Sequence, residues 1–290
     1  MNFPRVPRSL VGGLADLQAL FVSMAHYRGI DRSELEQVAA LVPESISHVP
    51  CFLDRLTGVW RYDFGEPMGL PGGDVVVSTN MFQPVDRLYD VLACARCRLA
   101  SDQLANYLRR LADPGKHDDL LFEFAPIVRL PLEIGASYEV QGYGEGNRTV
   151  DWLIQPLSGS PIALEVKNRT RDLLESLSRL RAGSREADRA APAPTHDVGL
   201  LFVGLESKFR PRSAGEVVQA AWIGTDLKQE EAELLEAFGQ LDPTRVHVAM
   251  LGGWENDVYT LSQDSAARSH AVGALGVHES RRFVFRRTEG

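Results

Sequence analysis

Apolar positions recur at three- and four-residue spacing in two separate stretches, and that spacing predicts amphipathic helices. The first covers residues 10–28 and 33–41, with Asp31 placed as N-cap of the second helix, and a third short helix follows over 45–56. The second stretch runs from Pro84 to Ala112 on the stripe Leu88, Val91, Leu92, Ala95, Leu99, Leu104, Tyr107, Leu108 and Leu111, and Asp113-Pro114-Gly115 ends it. A new helix starts at His117-Asp118-Asp119, whose acids favour a helix N-terminus, and carries Leu120, Leu121, Phe124 and Ile127. Beyond Pro131 the apolar period changes from about 3.6 to 2. Residues 138–143, 149–157 and 161–168 read as strands joined by Gly-rich turns. Next come a helix over 172–189 and a nearly continuous apolar run, 197–205, expected to be a strand buried on both faces. A helix over 230–241 and strands at 245–251 and 258–261 complete the pattern.

The order helix, three strands, helix, strand makes the expected fold α/β. Residues 64–74, dense in Gly and Pro, are the best candidate boundary. The expected division is a mostly helical N-terminal region, residues 1–84, and a second domain, residues 85–290, with its core at 117–205. The three N-terminal helices, followed by the apolar stretches at Trp60 and Val75, suit a winged-helix module as well as a plain helical cap.

Charge narrows the partners. The net charge of -8 comes from 31 basic and 39 acidic residues, and no third of the chain is basic. Nucleic acid, if bound, is therefore met by a local patch. Only four of the basic residues are lysines (Lys116, Lys167, Lys208 and Lys228), which makes the position of each informative. Three cysteines cannot build a disulfide framework, and an odd count fits a reducing compartment. The apolar stretch at 10–24 is too short to span a bilayer and lacks the flanks of a signal peptide, so the expectation is a cytoplasmic protein without a membrane partner.

The strand pattern also sorts the side chains that could do chemistry. In 149–157 the alternation puts Val150, Trp152 and Ile154 on one face and Asp151 on the other. In 161–168 the apolar set is Ile162, Leu164 and Val166, leaving Glu165 and Lys167 together on the opposite face. The strands meet at Ser158-Gly159-Ser160. If the apolar faces coincide, the hairpin register puts Asp151 directly opposite either Glu165 or Lys167. Two carboxylates and an ammonium then converge on one patch, about 5 Å apart between neighbouring strands. Such a pair is a hard, oxygen-only site suited to Mg2+ or Mn2+. A lysine beside it can orient or deprotonate an attacking water and offset charge on a phosphoryl transition state.

Asp151, followed by Glu165-Val166-Lys167, resembles the Asp…Glu-X-Lys signature of the PD-(D/E)XK nuclease superfamily, and the α-β-β-β-α-β order is similar to the core of its restriction-endonuclease-like fold. The resemblance covers about residues 117–205, and Val150 stands where the signature's name has Pro. It implies a Mg2+-dependent nuclease acting on nucleic acid, with DNA the expected substrate. Asp151 and Glu165 would be metal ligands, joined by the Val166 carbonyl. Lys167 would activate the water, and Glu123, in the preceding helix, would be an auxiliary carboxylate of the site. The alternatives are a nuclease fold that binds nucleic acid or regulates without cleaving, and a solvated sheet face with an incidental Glu–Lys pair. A structural or oligomerisation protein would be favoured if another element covered the Asp151 face. The sequence leaves the oligomeric state undecided, a homodimer included.

Other signals carry less. Cys94 and Cys97 form a lone C-x2-C pair, read as buried helix cysteines because zinc needs further ligands. Gly142-Tyr143-Gly144-Glu145-Gly146 lies between two strands with no helix after it, so it is read as a hairpin turn and not a phosphate loop. Arg169 and Arg171, which leave the strand just past Lys167, and Arg179 of the 172–189 helix are the expected phosphate contacts, an ordinary solvated helix face being the alternative. Arg281, Arg282, Arg286 and Arg287 are read as a solubilising tail.

Overall fold

The structure, a computed structural model, describes residues 5–7, 28–42, 74–76, 83–113, 116–146, 148–168, 204–224, 235, 238–254 and 257–284. The chain divides between Phe124 and Ala125 into two compact units. The fold is α/β.

The first unit holds strand β1 (Arg5–Pro7), helix α1 (Arg32–Ala39), strand β2 (Asp74–Val76) and helices α2 (Gln83–Arg98), α3 (Ser101–Leu111) and α4 (His117–Phe122). β1 and β2 pair antiparallel. Asp31 caps α1 as expected, its carboxylate accepting from the Ser33 amide at 2.8 Å. The apolar stripe from Pro84 to Ala112 is two helices, broken at Leu99 and Ala100, because a stripe survives a break that keeps the same face inward. Tyr107 fixes the next corner: it is fully buried, its hydroxyl donates to the Leu120 carbonyl at 3.0 Å, and its ring lies 4.9 Å from Phe124. His117 opens α4 and is buried, with Nδ1 2.9 Å from the Leu111 carbonyl. Of the helices expected over 10–28 and 45–56, all but Arg28 lies outside the described residues.

The second unit is built on seven strands in sequential order: β3 (Gly135–Gln141), β4 (Thr149–Gln155), β5 (Ile162–Asn168), β6 (Val218–Gly224), β7 (Val248–Leu251), β8 (Asp257–Ser262) and β9 (His278–Val284). β3, β4 and β5 form an antiparallel meander, β5, β6 and β7 run parallel, β8 is antiparallel to β7, and β9 is parallel to β8. β5 is thus the seam between the antiparallel meander and the parallel trio β5 to β7. Helix α5 (Ser265–Leu275) lies against β6 to β9 and is capped by Asp264, whose carboxylate accepts from Ala266 and Ala267 at 2.8 and 3.0 Å. Arg268 of α5 grips both oxygens of Glu279 in β9 at 2.7 Å.

Both faces of the sheet are covered at its central strands, β5 and β6. On β5, residues Ile162 to Val166 are all at most 4 % exposed, whichever way they point. One core joins Leu153, Ala163, Ala221, Ile223 and Ala249 of the sheet to Leu205, Phe209 and Phe238 from the connections over it. Trp152 and Trp222, on the strands either side of β5, are fully buried, and truncating either to Ala costs about 3–5 kcal/mol in such positions.

Three expectations are corrected. Of the run 197–205, expected to be a strand, Gly204 and Leu205 sit in a helical turn and the rest lies outside the described residues; the parallel neighbour of β5 is β6. β6 is buried at every position, so it shows no alternation, and Gln219 interrupts its apolar run. Arg281 and Arg282 are strand residues of β9, paired with Tyr259 and Thr260, and not a tail; Arg286 and Arg287 lie outside the described residues. Cys94 is half-buried, with burial pushing its thiol up to about 11, whereas Cys97 is exposed and not a buried helix cysteine.

Candidate functional site

The β4–β5 hairpin turns through Gly159, whose φ of +87° only glycine adopts without strain, and a Cβ there would lie 2.4 Å from the His270 ring. Its register pairs Ile154 with Ile162, Leu153 with Ala163 and Trp152 with Leu164. This is the register in which Asp151 comes opposite Glu165. The ladder stops at Trp152 and Leu164, and just past it the Asp151 carboxylate reaches across and accepts from the Val166 amide at 2.7 Å. Pairing with β3 also skips Asp151: it passes from Trp152–Tyr138 to Val150–Val140, around Glu139 with its positive φ of 50°. Asp151 therefore sits where both ladders open.

Glu165 is 0 % exposed, and its Oε1 meets two ammonium groups, Lys167 Nζ at 2.6 Å and Lys208 Nζ at 2.9 Å. Its Oε2 is buried with no hydrogen-bond partner among the described residues, a condition rare for a carboxylate oxygen. The lysines reach outward, 37 and 31 % exposed, so solvent meets the cluster at its cationic end. Desolvation, then the charge of Glu165, pushes the Asp151 carboxyl from its ordinary 3.8 to about 6, against the pull of Lys167, the Val166 amide and Lys208.

Lys208 is the site residue that strand periodicity misses. It comes from the 204–212 connection, which lies along the β3–β4 loop. Phe209 bridges to Gly144, and the Glu145 amide donates to the Lys208 carbonyl at 3.0 Å. Gly144 makes this approach possible: a Cβ there would lie 2.6 Å from the Arg148 carbonyl oxygen and 2.9 Å from that of Lys208. The Gly142–Gly146 segment is the β3–β4 hairpin connection, as expected, and it also seats the lysine-bearing strap. The one signal for Lys208 in the sequence was the scarcity of lysine.

Asp151, Glu165, Val166 and Lys167 are thus brought together by the hairpin. Glu123 is half-buried at the C-terminal cap of α4 and belongs to the first unit. Arg169, Arg171 and Arg179, with the helix expected over 172–189, lie outside the described residues.

A divalent metal ion would be held here by Asp151 and by Glu165 through its unpartnered oxygen. No third His, Cys, Asp or Glu side chain joins them into a cluster among the described residues. The remaining positions would fall to the Val166 carbonyl and to water, as Mg2+ accepts. The donor set fits a hard cation; the two lysines already on Glu165 compete with it.

No family model, curated protein or solved structure matches this chain. The functional reading therefore rests on the site itself. No helix among the described residues is long and apolar enough to cross a membrane.

Proposed function

We propose that the protein is a metal-dependent nuclease of the restriction-endonuclease-like kind, hydrolysing phosphodiester bonds, with DNA the expected substrate. The observation that carries this reading is the half-satisfied Glu165: one oxygen neutralised by two lysines, the other buried without a hydrogen-bond partner among the described residues, on the strand beside Asp151, which sits at the opening of two ladders. Mg2+ or Mn2+, if held by Asp151 and Glu165, would supply Lewis-acid polarisation of the scissile phosphate and a lowered water pKa. Asp151 and Glu165 provide the negative charge that fixes the cation. Lys167, partly exposed at the mouth of the cluster, orients the attacking water by donating to its oxygen. Lys208, converging on the same oxygen from the strap, offsets charge on the phosphoryl group.

The test pairs calorimetry with Mg2+ and Mn2+ against cleavage assays on single-stranded, duplex and branched substrates. Asp151→Ala is expected to abolish both metal binding and cleavage. Lys167→Ala is expected to keep or tighten metal binding, because a competing positive charge is gone, while cleavage falls roughly 10²–10⁴-fold. A wild-type protein that binds neither cation and cuts no substrate ends the reading.

A second reading, the same fold binding nucleic acid without cleaving it, is favoured by two features. The cluster is charge-balanced by its own residues, two carboxylates against two ammonium groups. Ala163, on the same face of β5 as Glu165, also shares a core with Leu205, Phe209 and Phe238. Unchanged nucleic-acid affinity in the Asp151 and Lys167 variants, with no cleavage by the wild type, would select it.

A further inference from the structure

Four arginines gather where the 204–212 strap meets the β3–β4 loop, and they divide into two kinds. Arg245 is neutralised: it pairs with Glu145 at 3.3 Å and Asp242 at 3.7 Å, and donates to the Phe209 carbonyl at 3.0 Å. Arg148, Arg210 and Arg212 are anchored by oxygens that carry no formal charge. Arg148 Nη1 donates to the carbonyl and the hydroxyl of Ser207, each at 2.8 Å. Arg210 Nη2 donates to the Gly146 carbonyl at 2.7 Å, and Arg212 Nη2 to the Gly142 carbonyl at 3.0 Å, with its guanidinium over the Tyr143 ring at 5.4 Å. None of these three meets a carboxylate among the described residues.

A carbonyl anchor fixes a guanidinium in place without cancelling its charge. Each guanidinium has five N–H donors, and these anchors engage one nitrogen apiece, so a fork of donors stays available. Arg148 and Arg210 are exposed. In a chain of net charge -8, three held, uncompensated cations on one strip select anions locally. The strip also has a direction. Lys208 lies between Ser207 and Arg210, and its ammonium touches Glu165, so the cationic line ends at the carboxylate pair.

We propose that Arg148, Arg210 and Arg212, continued by Lys208, receive the phosphodiester backbone of a nucleic acid and lead it to the Asp151–Glu165 site. The choice of partner rests on the nuclease reading; the anion-binding strip does not. Repeated, spaced guanidinium groups suit a repeating phosphate better than a single anion, and planar forks match phosphate oxygens in pairs. The contacts are to backbone, so they carry affinity without sequence preference.

Binding of the full chain to a short labelled DNA duplex, its single strand and the matching RNA strand can be followed by fluorescence anisotropy in EDTA, over a range of NaCl. Each phosphate contact contributes about 0.9 to the slope of log affinity against log salt on duplex DNA, and about 0.7 on a single strand. The double variant Arg148→Gln/Arg210→Gln keeps an amide donor for each anchor. It is expected to lower the duplex slope by about 2 and to weaken low-salt affinity on the order of tenfold or more. The double replacement by Lys is expected to retain the slope. If the Gln pair fails to fold, the single variants carry the test, each lowering the slope by about 1. A folded Gln variant with wild-type slope overturns the proposal, as does a wild type that binds none of the three probes. Arginine-dependent binding without cleavage by the wild type would remove the nuclease reading and leave this one standing.

Discussion

Burial and the neighbouring Glu165 hold the Asp151 carboxyl at about 6, against an ordinary 3.8, so the folded protein keeps a proton there that the unfolded chain has released. Stability from this group is fully present below about 4 and is lost as pH rises to 6. In the presence of chelator, Asp151→Asn is expected to flatten that part of the profile and to raise stability above pH 7 by on the order of 2–3 kcal/mol. Asn can still accept from the Val166 amide. Denaturant unfolding at several pH values measures it, and an unchanged slope between pH 4 and 6 would contradict the assignment. His247 slopes the other way. Burial lowers its pKa from 6.5, with Nδ1 accepting from the Gln219 amide, so its contribution is lost as pH falls below that value and is common to both proteins. The two lysines predict a non-additive pair. Either alone leaves Glu165 one cation, whereas Lys167→Ala with Lys208→Ala strands a fully buried carboxylate. The double variant is expected to lose about 3–5 kcal/mol, well beyond the sum of the singles. Three of these four charged residues were legible in the sequence, because strand alternation sorts faces within one hairpin. Lys208 was not, because a long connection delivers it and no local period marks its arrival.

Elements were legible wherever one face differs from the other. The β4–β5 hairpin follows its alternation, and α1 its Asp31 cap. β6 escaped because burial at every position erases the period, and a Gln within it reads as a break. β9 escaped because its arginines look like a tail until β8 pairs with them. At this scale the strap makes the sharpest prediction. In Gly144→Ala the new methyl meets two backbone oxygens, neither of which can swing aside, so strap and loop must separate. The expected cost is about 1–3 kcal/mol. The lysine is then misplaced while both carboxylates stay put. Cleavage should fall with divalent-ion affinity unchanged, and calorimetry beside a single-turnover assay separates these outcomes. Equal losses in both would mean that the strap supports the whole hairpin and not Lys208 alone.

The division at Phe124 gives the second unit a complete sheet and its own core, so residues 125–290 are expected to fold as an independent cooperative unit. The fragment lacks Glu123. If it binds Mn2+ as tightly as the full chain, Glu123 is not a ligand; a loss of about tenfold or more would assign it a share, as removal of supporting groups does at metal sites. Thermal unfolding of the fragment with and without Mn2+ reads both points.

The seam at β5 also orders events in time. Ile154 finds Ile162 eight positions along the chain, whereas Ile162 finds Val218 only 56 positions further on. Closing the longer span costs roughly 2 kcal/mol more chain entropy, so the hairpin with both carboxylates and Lys167 can pair while the rest is still being searched or, on the ribosome, still being made. Lys208 lies inside the longer span and arrives with it. A chain released early would carry Asp151, Glu165 and Lys167 but neither the strap nor its arginines. The strap that brings the second lysine, with Arg210 and Arg212, joins after the hairpin, and a product truncated before it keeps Arg148 alone of the proposed backbone contacts.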